Sequence, residues 1–213
     1  MTRLFSSLTL ILLLAGCSSV YYGAMEQVGI HKRDIMVDRV EEMRDSQQET
    51  KEQFASALER FRSVLKVEGG DLEDKYDDLN AELQRSEEQA EEVRERIAAV
   101  EDVSQALFEE WQQELTQYSS TSLRRSSEQK LKQTRSQYKT LIGAMKRAEA
   151  KIDPVLNPMR DQVLFLKHNL NAKAIASLKA ELGSIETDVS RLIKEMETAI
   201  KEADVFISAL QAN

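Results

Sequence analysis

Apolar residues recur along this chain in two interleaved series, each with a period of seven. From Leu72 one series reads Leu72, Leu79, Ser86, Val93, Val100 and Leu107, and its companion reads Tyr76, Leu83, Ala90, Ile97, Ser104, Trp111 and Tyr118. Such a 4,3 alternation places both series on one stripe of an α-helix, the seam along which helices supercoil. The pattern precedes this run in Met36, Met43, Thr50, Ala57 and Val64 with Val40, Gln47, Phe54 and Phe61. It follows in Leu131, Tyr138, Met145, Ile152, Met159 and Leu166 with Thr134, Leu141, Ala148 and Val155. A last run has Leu178, Ile185, Leu192, Ala199 and Phe206 with Leu182, Val189, Met196, Ala203 and Leu210.

Breaks in the pattern divide the chain. "EGGD" (Glu68 to Asp71) offers glycines for a left-handed C-terminal cap and an aspartate for the next N-cap. "YSSTSLRRSSEQ" (Tyr118 to Gln129) supplies several serine N-caps. "KHNLN" (Lys167 to Asn171) fits a turn, giving four helices over about residues 25–67, 71–118, 122–167 and 171–211. Against that turn, Val163, Leu166, Leu170, Ala174 and Leu178 can run through it as a stutter of successive fours. The fold class expected is therefore all-α, an elongated four-helix bundle of antiparallel coiled-coil helices. The alternative is a three-helix arrangement with a long, kinked last helix. Pro154 and Pro158 each follow a capping residue and either start a helix or kink one; a kink is the expected outcome.

Composition agrees, with seven glycines and two prolines in 213 residues and 31% charged residues, a balance that suits long helices rather than turn-rich sheets. Charge is unevenly spread: residues 71–118 carry a net −12 and residues 119–173 a net +8. Neighbouring antiparallel helices of opposite sign attract along their flanks, so these two should pair.

The first seventeen residues, "MTRLFSSLTLILLLAGC", read as an export signal: Arg3, then an apolar stretch from Leu4 to Leu14, then the small pair Ala15-Gly16. The apolar stretch is too short to cross a bilayer as a helix, which takes about 20 residues. Leu14-Ala15-Gly16-Cys17 resembles the lipobox of bacterial lipoproteins. That resemblance implies cleavage between Gly16 and Cys17 and acylation of Cys17, the single cysteine. Ser18 in place of aspartate implies, by the same resemblance, forwarding to the outer membrane. The domains expected are a signal peptide at 1–16, a lipidated tether at 17–23 and a helical bundle at 24–213.

Without residues 1–16 the chain holds 28 basic and 37 acidic residues, a net charge of −9. That argues against a nucleic-acid partner and against docking on anionic headgroups by charge, which leaves anchoring to the lipid.

Catalytic signatures are absent. His31 and His168 lie far apart and outside any metal-ligand spacing, and no phosphate loop or nucleophile elbow occurs. The carboxylates Glu87, Glu88, Glu91, Glu92 and Glu95 read as a solvated helix face, since catalytic carboxylates need burial to tune them. His168 reads as a helix-end residue, with a pH-sensitive contact as the sharper alternative. Arg124 and Arg125 read as a solubilising loop tip that can also meet a phosphate or lipid headgroup. Gln47, Thr50, Ser86, Ser104 and Thr134 interrupt the seam and read as register determinants. Trp111, Phe54, Phe61, Tyr76, Tyr118 and Tyr138 read as core. No cofactor and no enzymatic activity is expected.

The stretches "CSSVYYGAMEQVGIHKRDI", "KVEGGDLEDKYDDLN" and "DQVLFLKHNLNAKAIASL" resemble a family of uncharacterised helical lipoproteins of gammaproteobacteria, a domain of unknown function. The resemblance implies export and an all-helical fold and brings no assigned activity or ligand. The expected function is a non-enzymatic, membrane-anchored envelope lipoprotein whose bundle faces the periplasm and meets a protein or cell-wall partner, with self-association open. The alternative is a carrier holding a lipid or small apolar ligand between helices, in space left by Ala57, Ala90, Ala148 and Ala203.

Overall fold

A computed structural model describes residues 17–65, 72–169 and 172–212. Among them the chain forms six helices and no strand: α1 (Cys17–Gln27), α2 (Lys32–Val64), α3 (Leu72–Glu114), α4 (Thr121–Glu149), α5 (Ile152–His168) and α6 (Ala172–Gln211). The "EGGD" turn and Gly16 lie outside the described residues.

Polar contacts give the topology. Lys32, Glu42 and Gln53 of α2 meet Glu110, Arg96 and Glu82 of α3, so these helices are antiparallel. Arg44, Lys51 and Arg62 of α2 meet Asp204, Glu197 and Glu186 of α6 in the same opposed order. Glu101, Arg94 and Glu87 of α3 reach Lys146, Asp153 and Arg160 of α4 and α5. Arg147 and Tyr138 of α4 face Glu195 and Phe206 of α6. The result is an up-down-up-down ring of α2, α3, the α4–α5 leg and α6, the expected four-helix bundle.

Helix α6 runs antiparallel to α4 and α5, which excludes one helix continuing from Val163 to Leu178 and agrees with four legs; Leu170 and Asn171 of the expected turn lie outside the described residues. The interruption in the third leg follows from Pro154. Its nitrogen cannot donate to Ala150, and its ring crowds that carbonyl. Accordingly α4 ends at Glu149 and α5 resumes at Ile152, both lying along α3. Pro158 is accommodated inside α5.

Most seam residues form one continuous core. Met36, Val40, Met43, Phe54, Phe61, Leu79, Leu141, Met145, Met159 and Leu192 are fully buried within it. Tyr76, Trp111, Tyr138 and Leu182 are only half-buried. Tyr118, expected in the seam, is exposed because α3 stops four residues earlier, where the chain turns toward the Ser120 N-cap of α4. The first leg also differs: α2 begins at Lys32 rather than near residue 25, and residues 17–23, expected as a tether, are the first turns of a separate helix.

Candidate functional site

The end of the bundle that carries α1 gathers most of the features that the seam does not explain. Helix α1 stops in a Schellman motif: Ile30 N–H donates to the Met25 carbonyl and Gly29 N–H to that of Glu26. Gly29 takes φ = 85°, a left-handed conformation that suits glycine. The turn sends α1 back along the bundle instead of away from it. His31, at the N-cap of α2, donates its backbone N–H to the Asp34 carboxylate, and Asp34 also suits the positive end of the helix dipole.

Tyr22 pins α1 in place. Its ring is 5% exposed and belongs to the main core, and its hydroxyl donates to Asp102 of α3 at 2.6 Å. Burial, then the hydrogen bond to Asp102 and its negative charge, hold the phenol protonated well above its ordinary range. Nearby, the Lys32 ammonium donates to Glu110 at 2.8 Å and to Glu26 of α1. Burial works against that ammonium's charge, yet the two carboxylates outweigh it and raise its pKa. Of the two acids, Glu26 is lowered, first by its hydrogen bond from Lys32. Glu110 is raised, chiefly by burial.

Beside this cluster the α3–α4 hairpin runs on past the start of α2 and the end of α6. A cleft of about 270 Å³ occupies the step, with Leu107, Trp111, Thr134 and Leu210 as its walls and Arg33 and Lys130 at its edge. The hairpin has its own small core of Phe108, Leu115 and Leu131, separate from the main one. Phe108 meets Tyr138 edge-on at 5.5 Å, Trp111 Nε1 donates to Ser127 Oγ at 2.8 Å, and Arg135 stacks on Phe108 at 5.4 Å. Beyond Leu131 toward the tip, every α4 residue except the half-buried Ser127 is exposed.

The residues singled out by sequence fall in different places. Cys17 is the first residue of α1. His31 and His168 are exposed at opposite ends of the bundle, so no site unites them. Glu87, Glu91 and Glu92 accept from Arg160, Arg94 and Arg96, while Glu88 and Glu95 are exposed beside them. Glu88, Glu91, Glu92 and Glu95 line one open groove on the outside of α3 together with Arg39 and Arg96, and among the described residues no cluster of three side chains able to hold a metal occurs. Likewise no described helix is long and apolar enough to cross a membrane. Ala57, Ala90, Ala148 and Ala203 belong to the continuous core.

The seam intruders divide by partner. Thr50 Oγ1 donates to the Ser46 carbonyl at 2.7 Å, and Ser86 Oγ donates to that of Glu82 and accepts from Gln53. Gln47 is fully buried, and neither atom of its amide has a hydrogen-bond partner. Sequence reasoning passed over Tyr22, Glu82, Gln53 and Gln162. Glu82, 2% exposed and bonded to Gln53 and Arg85, sits beside the seam position Leu83 on a stripe wider than two positions per heptad. Tyr22 precedes the first heptad, and no periodicity marks it.

No curated protein and no solved structure matches this chain. The family model described as "Protein of unknown function (DUF2959)" matches residues 21–210, nearly all of the bundle together with most of α1. On that match, the chain belongs to the DUF2959 family of proteins of unknown function.

Proposed function

We propose that the protein is a non-enzymatic envelope lipoprotein, held to a membrane by acyl chains on Cys17 and acting through contacts of its helical bundle on the periplasmic side. It fits the resemblance to helical lipoproteins of gammaproteobacteria. The observation that carries the reading is the order of segments: an n-region with Arg3, an apolar stretch, Leu14-Ala15-Gly16-Cys17, and then a folded helix from Cys17 onward. Because α1 is docked by Tyr22, the acylated residue sits within one short helix of the bundle wall. Body and bilayer then stay within a few nanometres of each other. Two or more acyl chains, at about 0.8 kcal/mol per buried CH₂, hold far more firmly than one.

An interaction module is favoured over a carrier because the four small seam residues sit inside the main core. The carboxylates of α3, solvated in an open groove and in part paired with Arg94 and Arg96, likewise favour contact over catalysis. The test is the intact mass and fractionation of the protein made from its full chain. Wild type should begin at Cys17, carry the mass of its acyl chains and stay in the membrane pellet through a 1 M salt wash. Cys17→Ser should lose the added mass and leave the salt-washed pellet. A wild-type mass without acyl chains would end the proposal.

A further inference from the structure

We infer that the projecting α3–α4 hairpin is a docking surface for an anionic phospholipid bilayer. Six basic residues occur on the α4 arm between Thr121 and Lys139 against one acid, Glu128, while the α3 arm carries Glu109, Glu110 and Glu114, of which Glu110 is neutralised by Lys32. Five of the six bases, Arg124, Arg125, Lys132, Arg135 and Lys139, fall within an arc of about 100° on a helix of 3.6 residues per turn. The arc lies beside the line of Leu131, Thr134 and Tyr138 that faces the other helices. It runs for roughly 22 Å at about 1.5 Å per residue. All five are exposed, and among the described residues none makes an ion pair. The α4 bases that are paired, Lys146 and Arg147, lie nearer the break between α4 and α5, where they meet Glu101 and Glu195.

A net charge of −9 hides this stripe because it averages over the whole chain. A flat anionic surface responds to the local field within a Debye length of about 8 Å at physiological salt. Each basic residue held near such a surface contributes about a factor of five in affinity.

The apolar residues at the same end distinguish a bilayer from a merely polyanionic partner. Leu123 is 59% exposed at the start of α4 and Tyr118 is exposed in the turn before it. The neighbouring α1–α2 turn presents Val28, 71% exposed, and Ile30. Val20 and Tyr21 on α1 and Val205 on α6 are exposed farther along the bundle, and Leu164 near its opposite end. A tyrosine and a leucine at a loop tip flanked by arginines suit the headgroup boundary, where amphipathic rings and aliphatic tips partition together.

This surface acts whether or not Cys17 is acylated, so it is tested without the lipid. The protein spans residues 17–213, which hold all six described helices, and carries Cys17→Ser. It is titrated with vesicles of 30% phosphatidylglycerol in phosphatidylcholine, and with phosphatidylcholine alone, at 50 and 500 mM salt. Binding to the anionic vesicles at low salt and its loss at high salt are expected, with at least tenfold weaker binding to the neutral ones. Arg125→Gln, Lys132→Gln and Lys139→Gln together change only exposed, unpaired side chains and should lower affinity about 100-fold at unchanged helix content. Leu123→Ser should lower it about tenfold. No binding to anionic vesicles, equal binding to neutral ones, or undiminished binding by the triple variant would each overturn the inference. Undiminished binding by Leu123→Ser would overturn the placement of the hairpin tip against the bilayer.

Discussion

The middle of the bundle and its α1 end are built from the same heptad pattern, yet they are held together differently. In the middle, four helices surround each layer, so Phe54, Phe61 and Met145 are fully buried and the core is continuous. At the α1 end, α3 and α4 run on past their neighbours, and two helices can bury only a small satellite of Phe108, Leu115 and Leu131. Aromatic and cationic contacts supplement it, and α1 is held by Tyr22, Met25 and a few polar contacts. A heptad seam stabilises in proportion to the apolar area that the helices around it remove from water. The end where closure is incomplete is also where basic and apolar side chains remain exposed.

The largest effect should come from truncating the two cores in parallel. Phe54→Ala, in the four-helix core, should cost about 3–5 kcal/mol of global stability in urea unfolding. Leu131→Ala should cost only about 2–3 kcal/mol, since the open hairpin can collapse around the gap. Its loss of amide protection should be confined to the hairpin. Equal global costs would dissolve the distinction between the two regions.

An effect of opposite sign is expected at Gln47. A buried amide with neither atom bonded costs about 1–3 kcal/mol of desolvation. Gln47→Leu should therefore raise the urea midpoint by an amount in that range. It should also weaken the specification of helix register, which sedimentation would report as a mixture of oligomers. A lower midpoint would mean that the amide is satisfied.

The smallest effect concerns α1. Tyr22→Phe keeps the buried ring and removes one hydrogen bond to a half-exposed carboxylate, a loss of about 1 kcal/mol. Tyr22 and Lys32 both have folded pKa values raised above their ordinary 10.0 and 10.5. Each group then binds its proton more tightly in the folded state. Their contribution is fully present below about pH 10 and fades as pH rises through the folded values. Thermal melts from pH 8 to 11 should show falling stability in the wild type and a shallower fall in Tyr22→Phe. Identical slopes would remove Tyr22 from the account of how α1 is held.

Much of this architecture was legible because heptad periodicity is local. The positions of Met36 to Val64 or Leu178 to Leu210 name their own buried stripe whatever helix comes to cover it. Pro154 likewise announces the interruption of its own leg through a missing donor and a steric clash with Ala150. Tyr118 was misplaced because the 4,3 count continues past the true end of α3, which the Ser120 cap decides.

The sequence by itself determined an all-α chain, its heptad-lined stripes, an irregularity near Pro154 and Pro158, and a segregation of acid onto residues 71–118 and base onto residues 119–173. Those properties follow from the order of residues within one helix. Tertiary structure alone decided that α6 runs antiparallel to α4 and α5, that α1 folds back to bury Tyr22, and that Gln47 is left without a partner. It also decided that the bases of α4 before Lys146 meet no acid of α3. Each depends on the stagger of one helix against another, which sets which side chains meet across the gap, and no period within a single helix encodes that stagger.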